Sequence, residues 1–382
     1  MTVVGGGVVG LLTAWECARE GARVTLLDAA ELPNRYGASY DRHRILRALH
    51  PQDADATRAA VTATARWAEL ARLIEARTPA GSVLHRSGAL TVLAPDDARA
   101  AVTNLVAAGA RAHLLDEPGA RYQLLRLPSG RAGVLEPDGG ILLADRVLEA
   151  LTAILGELPG VRLRPGCGVV GIDPDAGTVR LADGETVSGD RVVVSAGPRT
   201  PDVLPPDVTE GLQLYRQTLL FCGDGTRFGD SWTGLPAVPA LGTGTGAWLV
   251  PPVGGTPLKL SAASACRPVE RIEGWAAPAS FRAHLCTVFR DLLVGFRDDW
   301  VSGARDSYYL ADAATHGPRL AELSPGRAWA FTACGGGAFK FAPHIARSLA
   351  ERALGLPSTT TGLAHLDADT GTARPPHPSG AR

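Results

Sequence analysis

Two lysines stand out among the residues of this chain that could do chemistry. Lysine and arginine together number 38, and only Lys259 and Lys340 are lysines, which leaves 36 arginines. The lysine ammonium is a compact, rotatable charge, whereas the arginine guanidinium is a planar fork that keeps its proton in proteins. A site that must hold a small anion therefore distinguishes between the two cations. The alternative is that both lysines persisted by chance in a composition that favours arginine.

A glycine pattern at the start of the chain indicates nucleotide binding. Gly5, Gly7 and Gly10 have GxGxxG spacing between a short apolar strand and a helical run to Arg19, and Asp28 ends the next strand. The glycines allow a tight turn, close approach of a pyrophosphate to the backbone, and packing of the helix on the strand. The helix N-terminus attracts phosphate, and an acid at the second strand end accepts hydrogen bonds from an adenosine ribose. The pattern predicts a dinucleotide site.

Composition favours small-molecule chemistry. At 382 residues, two domains are expected, and the net charge of −1 argues against binding to nucleic acid or an anionic membrane. The six cysteines have no paired spacing, so neither zinc nor disulfides are expected. No apolar run approaches a membrane span of about 20 residues, and we expect a cytoplasmic protein. Because the first strand is so short, we expect that it is abbreviated or that the natural start lies upstream.

The elements that position these residues alternate between two patterns. We predict an α/β fold with a discontinuous Rossmann-like nucleotide domain, built on a parallel sheet, at residues 1–80, 144–210 and 320–356. A substrate domain with a mostly antiparallel sheet is expected at 81–143 and 211–319, and a disordered tail at 357–382. Helices are predicted over 55–77, 95–109, 144–156 and 279–295. A last helix is predicted to open with Pro343 in its first turn and to end at Gly355.

On these residues the chain resembles the sarcosine oxidase and N-methyltryptophan oxidase branch of the D-amino-acid-oxidase-like (DAO) FAD-dependent oxidoreductases. The resemblance runs collinearly to about residue 356. It is carried by the glycine pattern, Asp28, Ala38-Ser39-Tyr40-Asp41-Arg42-His43-Arg44-Ile45-Leu46-Arg47, Leu258-Lys259-Leu260 and Ala338-Phe339-Lys340-Phe341. It implies FAD as cofactor and hydride transfer from an amine C–N bond to flavin N5. The implied products are an imine and, from dioxygen, hydrogen peroxide.

The resemblance also implies roles for individual residues. Lys340 and Arg47 would grip a substrate carboxylate, and Lys259 would promote electron transfer to dioxygen at the flavin face. Arg44 would lie beside the flavin, and Tyr309 would line the substrate pocket. A glycine turn and a helix opening at Ala342-Pro343 would stabilise negative charge on the flavin ring. The expected cofactor contacts are Gly5, Gly7, Val8, Val9, Gly10, Asp28, Arg44, Val169, Ala196, Gly197, Gly335, Gly336, Gly337, Phe339 and Lys340; no metal is expected.

The sequence departs from the family pattern at four positions. Ser307 stands where the family has its flavin-linking cysteine, so we expect non-covalent FAD. Ala263, Gly337 and Tyr40 stand where the family has histidines. The loss of three imidazoles makes sarcosine itself an improbable substrate. We expect a larger secondary or cyclic amino or imino acid, such as an intermediate of specialised metabolism.

Several alternatives stay open at this point. The protein could be a flavin dehydrogenase with another electron acceptor, or a non-catalytic FAD-binding subunit. Arg44 and Arg47 could be helix-surface cations paired with Asp41 or Glu69, and Tyr309 could be an ordinary core residue. The protein could be a monomer or a dimer.

Overall fold

The computed structural model describes residues 1–79, 81–223, 232 and 234–360. Its helices are α1 (Val8–Arg19), α2 (Ala54–Arg77), α3 (Pro95–Ala107), α4 (Pro118–Arg121), α5 (Ala144–Glu157), α6 (Thr200–Val203), α7 (Pro206–Thr209), α8 (Ala279–Leu292) and α9 (Ala338–Leu354). Its strands are β1 (Thr2–Val4), β2 (Val24–Leu27), β3 (Arg44–Leu46), β4 (Leu84–His85), β5 (Ala89–Leu93), β6 (His113–Leu115), β7 (Ala132–Glu136), β8 (Gly140–Leu142), β9 (Val161–Arg164), β10 (Val169–Asp173), β11 (Thr178–Leu181), β12 (Thr186–Ser188), β13 (Val192–Val194), β14 (Leu212–Cys222), β15 (Ala237–Ala240), β16 (Ala247–Val250), β17 (Leu258–Ala262), β18 (Cys266–Val269), β19 (Val301–Asp312), β20 (Pro318–Ser324) and β21 (Ala328–Cys334).

The first large sheet has six strands in the order β20-β21-β13-β1-β2-β9. All neighbours are parallel except β20 and β21. The three-residue strand β1 lies between β13 and β2, and Val3 and Val193 are fully buried. This confirms that the apolar run near residue 194 joins the sheet of the first strand. Apolar strands suit this position because a central strand of a parallel sheet is covered on both faces.

The second large sheet has nine strands and is mostly antiparallel, with a parallel contact between β15 and β5. The long strand β14 pairs with β19 along one edge and with β18 and β17 along the other. Helix α8 packs Leu285 and Phe289 into the apolar cluster beside this sheet. Smaller three-stranded sheets are formed by β10, β11 and β12 and by β3, β8 and β4.

Most predicted elements are confirmed, but the start of the last helix was predicted wrongly. Helix α9 begins at Ala338, so Pro343 lies inside it rather than in its first turn. The helix therefore starts directly after the glycine turn, with Gly337 as its N-cap. Its predicted end is confirmed, since Gly355 has the left-handed φ of 65° that ends many helices.

Two predictions are not settled by the described residues. The strands of the six-stranded sheet come from residues 2–27, 161–194 and 318–334, while the domain boundaries stay predictions. The predicted disorder of the tail falls, beyond Thr360, outside the described residues. None of the described helices combines the length and the apolar character needed to cross a lipid bilayer.

Gly10 is the glycine whose replacement the fold should tolerate least. A Cβ at Gly10 would lie 1.8 Å from the carbonyl oxygen of Gly5, so α1 would have to move away from β1. We expect Gly10→Ala to lower the free energy of unfolding by about 1–3 kcal/mol or more. Gly156, in α5, has no neighbour within 4 Å of such a Cβ, so Gly156→Ala should be neutral or raise it by up to about 1 kcal/mol. Urea denaturation distinguishes the two; equal stability contradicts this packing.

Candidate cofactor and substrate site

One cavity of about 510 Å³ lies between the two large sheets. On one side it is lined by the glycine turn after β1, the end of β2 and the segment after β13, including Gly5, Asp28 and Ala196. On the other side it is lined by side chains of the nine-stranded sheet, including Lys259 and Tyr309. The carboxyl ends of parallel strands are the usual ligand site of such folds. The cavity therefore joins the predicted dinucleotide site to the predicted substrate site.

The glycine end of the cavity has room for a ligand but none for side chains on its backbone. A Cβ at Gly5 would lie 2.4 Å from the carbonyl oxygen of Ser195. Asp28 is buried, and its carboxylate accepts the amides of Gly6 at 2.7 Å and Ala30 at 2.9 Å. The N-cap residue of α1 is Gly7, which has no side chain, and the first turn contains no acid. The amide of Val8 donates to Ser39 Oγ at 3.1 Å, and the positive end of the helix otherwise faces the cavity, where it attracts phosphate.

Strand alternation selects which side chains of the second sheet line the cavity. Residues that pair directly across neighbouring strands have their side chains on the same face of the sheet. Lys259 therefore shares its face with Val250 and Phe221, and Gln217 shares its face with Ser307. The neighbours of Lys259 on β17 point to the other face and join the apolar cluster against α8. A single residue shift of β17 would therefore exchange the ammonium for leucine.

Lys259 is held in a buried ion pair. Its side chain is 1% exposed, and Nζ donates to Asp41 Oδ2 at 2.7 Å and to the carbonyl oxygen of His43 at 2.5 Å. Arg44 Nη1 lies 2.9 Å from the same carboxylate oxygen. Burial lowers the pKa of Lys259 to about 8, against the opposing effect of Asp41. Burial alone would raise the pKa of Asp41, but Lys259 and Arg44 together hold it below its usual range.

Lys340 and Arg47 form a second group of cations around a different carboxylate. Burial and the charge of Arg47 lower the pKa of Lys340 to about 7, and Glu136 opposes this shift. Burial also lowers the pKa of Arg47. Among the described residues, no Asp or Glu oxygen lies within 4.0 Å of a side-chain nitrogen of either cation. Glu136 is 3% exposed, and its Oε2 accepts the amides of Ala48 at 2.7 Å and Leu49 at 3.1 Å.

Tyr309 lies in the cavity wall rather than in the core. Its ring stacks on Tyr215, with centroids 5.4 Å apart, and its hydroxyl lies 3.3 Å from Cys266 Sγ. Burial raises the pKa of Tyr309, so it stays a neutral phenol at physiological pH. Its neighbour Tyr308 is fully buried and donates to the carbonyl oxygen of Gly274. The two tyrosines therefore differ in environment, as alternation along β19 requires.

Nearly all of the predicted site residues come together around the cavity. Gly10 and Val169 do not line it: Gly10 packs under Gly5, and Val169 packs on the apolar cluster beside β13. The alternative that Arg44 is a helix-surface cation is wrong in its element, because Arg44 lies on the strand β3, but the pairing with Asp41 that it named is confirmed. The residues that line the cavity as predicted are Gly5, Gly7, Val8, Val9, Asp28, Arg44, Arg47, Ala196, Gly197, Lys259, Tyr309, Gly335, Gly336, Gly337, Phe339 and Lys340.

Sequence reasoning did not assign four polar or aromatic residues of the site. Asp41 pairs with Lys259, Glu136 acts on Lys340 and Arg47 through its charge at longer range, and Gln217 and Trp248 line the cavity. A charged residue at the end of an otherwise apolar strand is a usable signal for Glu136 on β7. No local signal marks the pairing of Asp41 with Lys259, because Lys259 lies 218 residues further along the chain.

Residues 1–352 match the family described as FAD dependent oxidoreductase (DAO). The chain belongs to this family. It is 30% identical to peroxisomal sarcosine oxidase of Homo sapiens over 222 residues, which are 57% of this chain and 54% of the human protein. It is 30% identical to glycine oxidase of Pseudomonas putida over 233 residues, or 56% of this chain and 58% of that protein. The matches thus span little more than half the length of these relatives.

Solved structures confirm the fold over nearly the whole chain. A mutant of NikD, described as an unusual amino acid oxidase essential for nikkomycin biosynthesis, superposes with a TM-score of 0.79 at 21% identity, covering 98% of both chains. Fructosamine oxidase (Amadoriase II) of Aspergillus fumigatus superposes with a TM-score of 0.74 at 17% identity, covering 96% of this chain and 88% of that one. At these identities the likeness concerns the fold alone.

The residues of the cavity fit FAD, the cofactor of the family. The close backbone contacts at Gly5 and Gly10 leave no room for a Cβ, so the turn packs tightly against β13 and the backbone of Gly5, Gly6 and Gly7 is left bare toward the cavity. The start of α1 and the carboxylate of Asp28 supply the donors and acceptor that a dinucleotide needs. At the other end, α9 also starts without a side-chain cap, directly after Gly335 and Gly336, both with positive φ. The two helix starts line one cavity, as a ligand with two polar ends requires.

Two substitutions separate the two roles of the Glu136 carboxylate. Glu136→Ala leaves the amides of Ala48 and Leu49 without their acceptor, so we expect a loss of about 1–3 kcal/mol in unfolding free energy for each amide. Glu136→Gln keeps an acceptor but removes the charge, so stability should fall less while the pKa of Lys340 decreases. Urea denaturation and NMR titration of ¹⁵N-labelled lysine measure these effects. Equal stability of both variants, or an unchanged pKa, contradicts the assignment.

Proposed function

We propose that this protein is an FAD-dependent oxidase of a carboxylate-bearing amine, with a secondary or cyclic amino acid as the substrate class. The oxidised bond is the C–N bond: two electrons and two protons leave the amine, which becomes an imine, and dioxygen becomes hydrogen peroxide. Bound FAD supplies the acceptor for the electron pair. The relatives named sarcosine oxidase and glycine oxidase support amine oxidation by this family.

The observation that carries the proposal is the pair of cations without a paired carboxylate. Lys340 and Arg47 both line the cavity, and Glu136 is the acid that acts on both. An enclosed charge is costly unless it is paired, and a ligand carboxylate would pair with a guanidinium fork and an ammonium. Because the group keeps an excess positive charge, we propose that it binds the carboxylate of the substrate.

The second group of charges supports dioxygen as the electron acceptor. Around Lys259 lie two arginines, Arg44 and Arg305, and one carboxylate, Asp41, which leaves a net positive potential. Fixed positive charge stabilises the negative charge that develops on dioxygen during reduction. A dehydrogenase with another electron acceptor remains the competing function. Comparing the rate of oxygen consumption with the rate of reduction of an artificial dye distinguishes the oxidase from the dehydrogenase.

The remaining parts of the proposal concern the attachment of FAD, the location and oligomeric state of the protein, and the size of its substrate. Ser307 lines the cavity and offers no thiol, which supports non-covalent FAD. The cytoplasmic location, the monomeric or dimeric state and a role in specialised metabolism stay predictions. The lost histidine positions, with Ala263 among them, support a substrate larger than sarcosine.

An anaerobic screen tests the proposed activity. We expect an N-alkyl, cyclic or D-amino acid to bleach the flavin absorbance of the purified protein, and readmitted air to restore it with one hydrogen peroxide per turnover. The matching amino amides, which lack the carboxylate, should bleach it at least tenfold more slowly. Acid precipitation should release FAD into the supernatant. Flavin retained in the pellet contradicts non-covalent binding; no bleaching across the panel supports a non-catalytic subunit.

The pH dependence of ligand binding tests the role of Lys340. With a pKa of about 7, Lys340 is charged below pH 7 and neutral above it. A bound carboxylate favours the charged form, so affinity for a carboxylate inhibitor should fall as pH rises through 7, by up to about tenfold per unit. Lys340→Met should bind the carboxylate inhibitor weakly, with an affinity that does not change as pH rises through 7. Lys340→Arg should keep its positive charge at every pH tested. Flavin difference spectra give the dissociation constants; a slope retained in Lys340→Met contradicts the assignment.

A further inference from the structure

Lys259 uses only part of its hydrogen-bonding capacity within the protein. An ammonium has three N–H donors, and two of them are taken by Asp41 Oδ2 and the carbonyl oxygen of His43. The side chain lines the cavity, and its Nζ also lies 5.8 Å from the ring centroid of Trp248. The ammonium thus has one donor left for a small ligand in the cavity.

Asp41 connects two distant parts of the molecule. It lies in the loop between β2 of the six-stranded sheet and β3 of a small three-stranded sheet, whereas Lys259 lies on β17 of the nine-stranded sheet. Its Oδ1 accepts the amide of Arg42 at 2.7 Å, which fixes the carboxylate to its own loop. Its Oδ2 is shared by Lys259 and Arg44. At 3% exposure the carboxylate is closed off from water, so these contacts determine its position.

We propose that Asp41 is a positioning residue that anchors the ammonium of Lys259 in the cavity wall and thereby sets the rate at which the reduced enzyme passes electrons to dioxygen. Two electrons and two protons pass to dioxygen, which becomes hydrogen peroxide. The role in the oxygen reaction rests on the proposed function. The anchoring does not, because it concerns two residues of the chain.

The charges around Lys259 show why the anchor is needed. The titratable groups that face the ammonium are Asp41 and His43 from the loop, Arg44 from the start of β3 and Arg305 from β19. Burial lowers the pKa of His43 to about 3, so this imidazole is neutral at physiological pH. Without the carboxylate, the ammonium would face two guanidinium groups in a buried site with no counter-charge. Removing Asp41 therefore favours the neutral amine.

The shortage of lysine makes the anchor directly measurable. The chain has only Lys259 and Lys340, so protein labelled with ¹⁵N-lysine gives two side-chain signals, which Lys259→Met assigns. In the FAD-loaded protein we expect Asp41→Asn to lower the pKa of Lys259 by about one to three units. The signal of Lys340 in the same spectrum should not move. This readout needs neither substrate nor turnover.

The oxygen reaction can also be measured without a substrate. The bound flavin is reduced by light with EDTA as electron donor, mixed with oxygenated buffer, and followed by its absorbance. In Asp41→Asn the charged fraction of Lys259 at pH 7.5 falls, so we expect reoxidation to slow about threefold for a shift of one unit and more than about a hundredfold for three units, and to recover as pH falls below the new pKa of Lys259. In Lys259→Met it should be slow at every pH, because no ammonium remains.

Two further variants keep the inference testable if Asp41→Asn is unstable. Arg44 lowers the pKa of Lys259, so Arg44→Gln should raise it, the opposite sign. Asp306 is a matched control, since it is fully buried and paired with Arg216 and Arg267 near the middle of β19. Asp306→Asn should cost stability without moving the pKa of Lys259.

The outcomes separate the inference from the proposed function. A pKa of Lys259 that stays the same in both Asp41→Asn and Arg44→Gln overturns the anchoring. A shifted pKa with an unchanged rate of reoxidation overturns its role in the oxygen reaction. If the pKa and the rate both change while no amino acid bleaches the flavin, the anchoring stands and the proposed substrate class fails.

Discussion

The ion pair between Lys259 and Asp41 joins the nine-stranded sheet in the cavity wall to the loop between β2 and β3. Both side chains are almost fully buried, and their atoms meet at 2.7 Å across 218 residues of sequence. Two charges leave water only at a cost of several kcal/mol each, which good geometry and further hydrogen bonds must offset. The carbonyl oxygen of His43 and the guanidinium of Arg44 supply them. The loop after β2 and the strand β17 are therefore held in one relative position, which shapes the cavity.

The two lysines illustrate two ways of enclosing a charge. Lys259 has its counter-ion within the protein, and its pKa falls only to about 8. Lys340 faces Arg47 and shares a single distant carboxylate with it, and its pKa falls further, to about 7. The first arrangement keeps the ammonium in the wall of the cavity mostly charged at neutral pH. The second leaves a charge without a paired carboxylate, which a ligand carboxylate can supply. This difference supports separate roles for the two lysines.

Much of the fold could be predicted because its signals are local. The alternation in Leu258-Lys259-Leu260 is sufficient to predict a strand with one polar face, and β17 follows it. The position of Pro343 was misinterpreted because a proline suits a first turn, whereas the glycine turn before Ala338 determined where α9 starts. Val169 was expected at the cofactor on the resemblance, yet its strand belongs to the small sheet β10-β11-β12 and its side chain packs on the apolar cluster beside β13.

The sequence by itself determined the dinucleotide pattern, the parity of the strands and the presence of just two lysines, since each depends on residue type and on neighbours a few positions apart. The tertiary structure decided which carboxylate meets which cation. No residue near Asp41 in the sequence marks its pairing with Lys259, and none near Glu136 marks its effect on Lys340. The packing of distant segments against one another, and not the chain near each residue, sets the distance between these charges. A buried charge is stabilised by whatever lies within a few ångströms in space, and that set of neighbours is a property of the folded molecule.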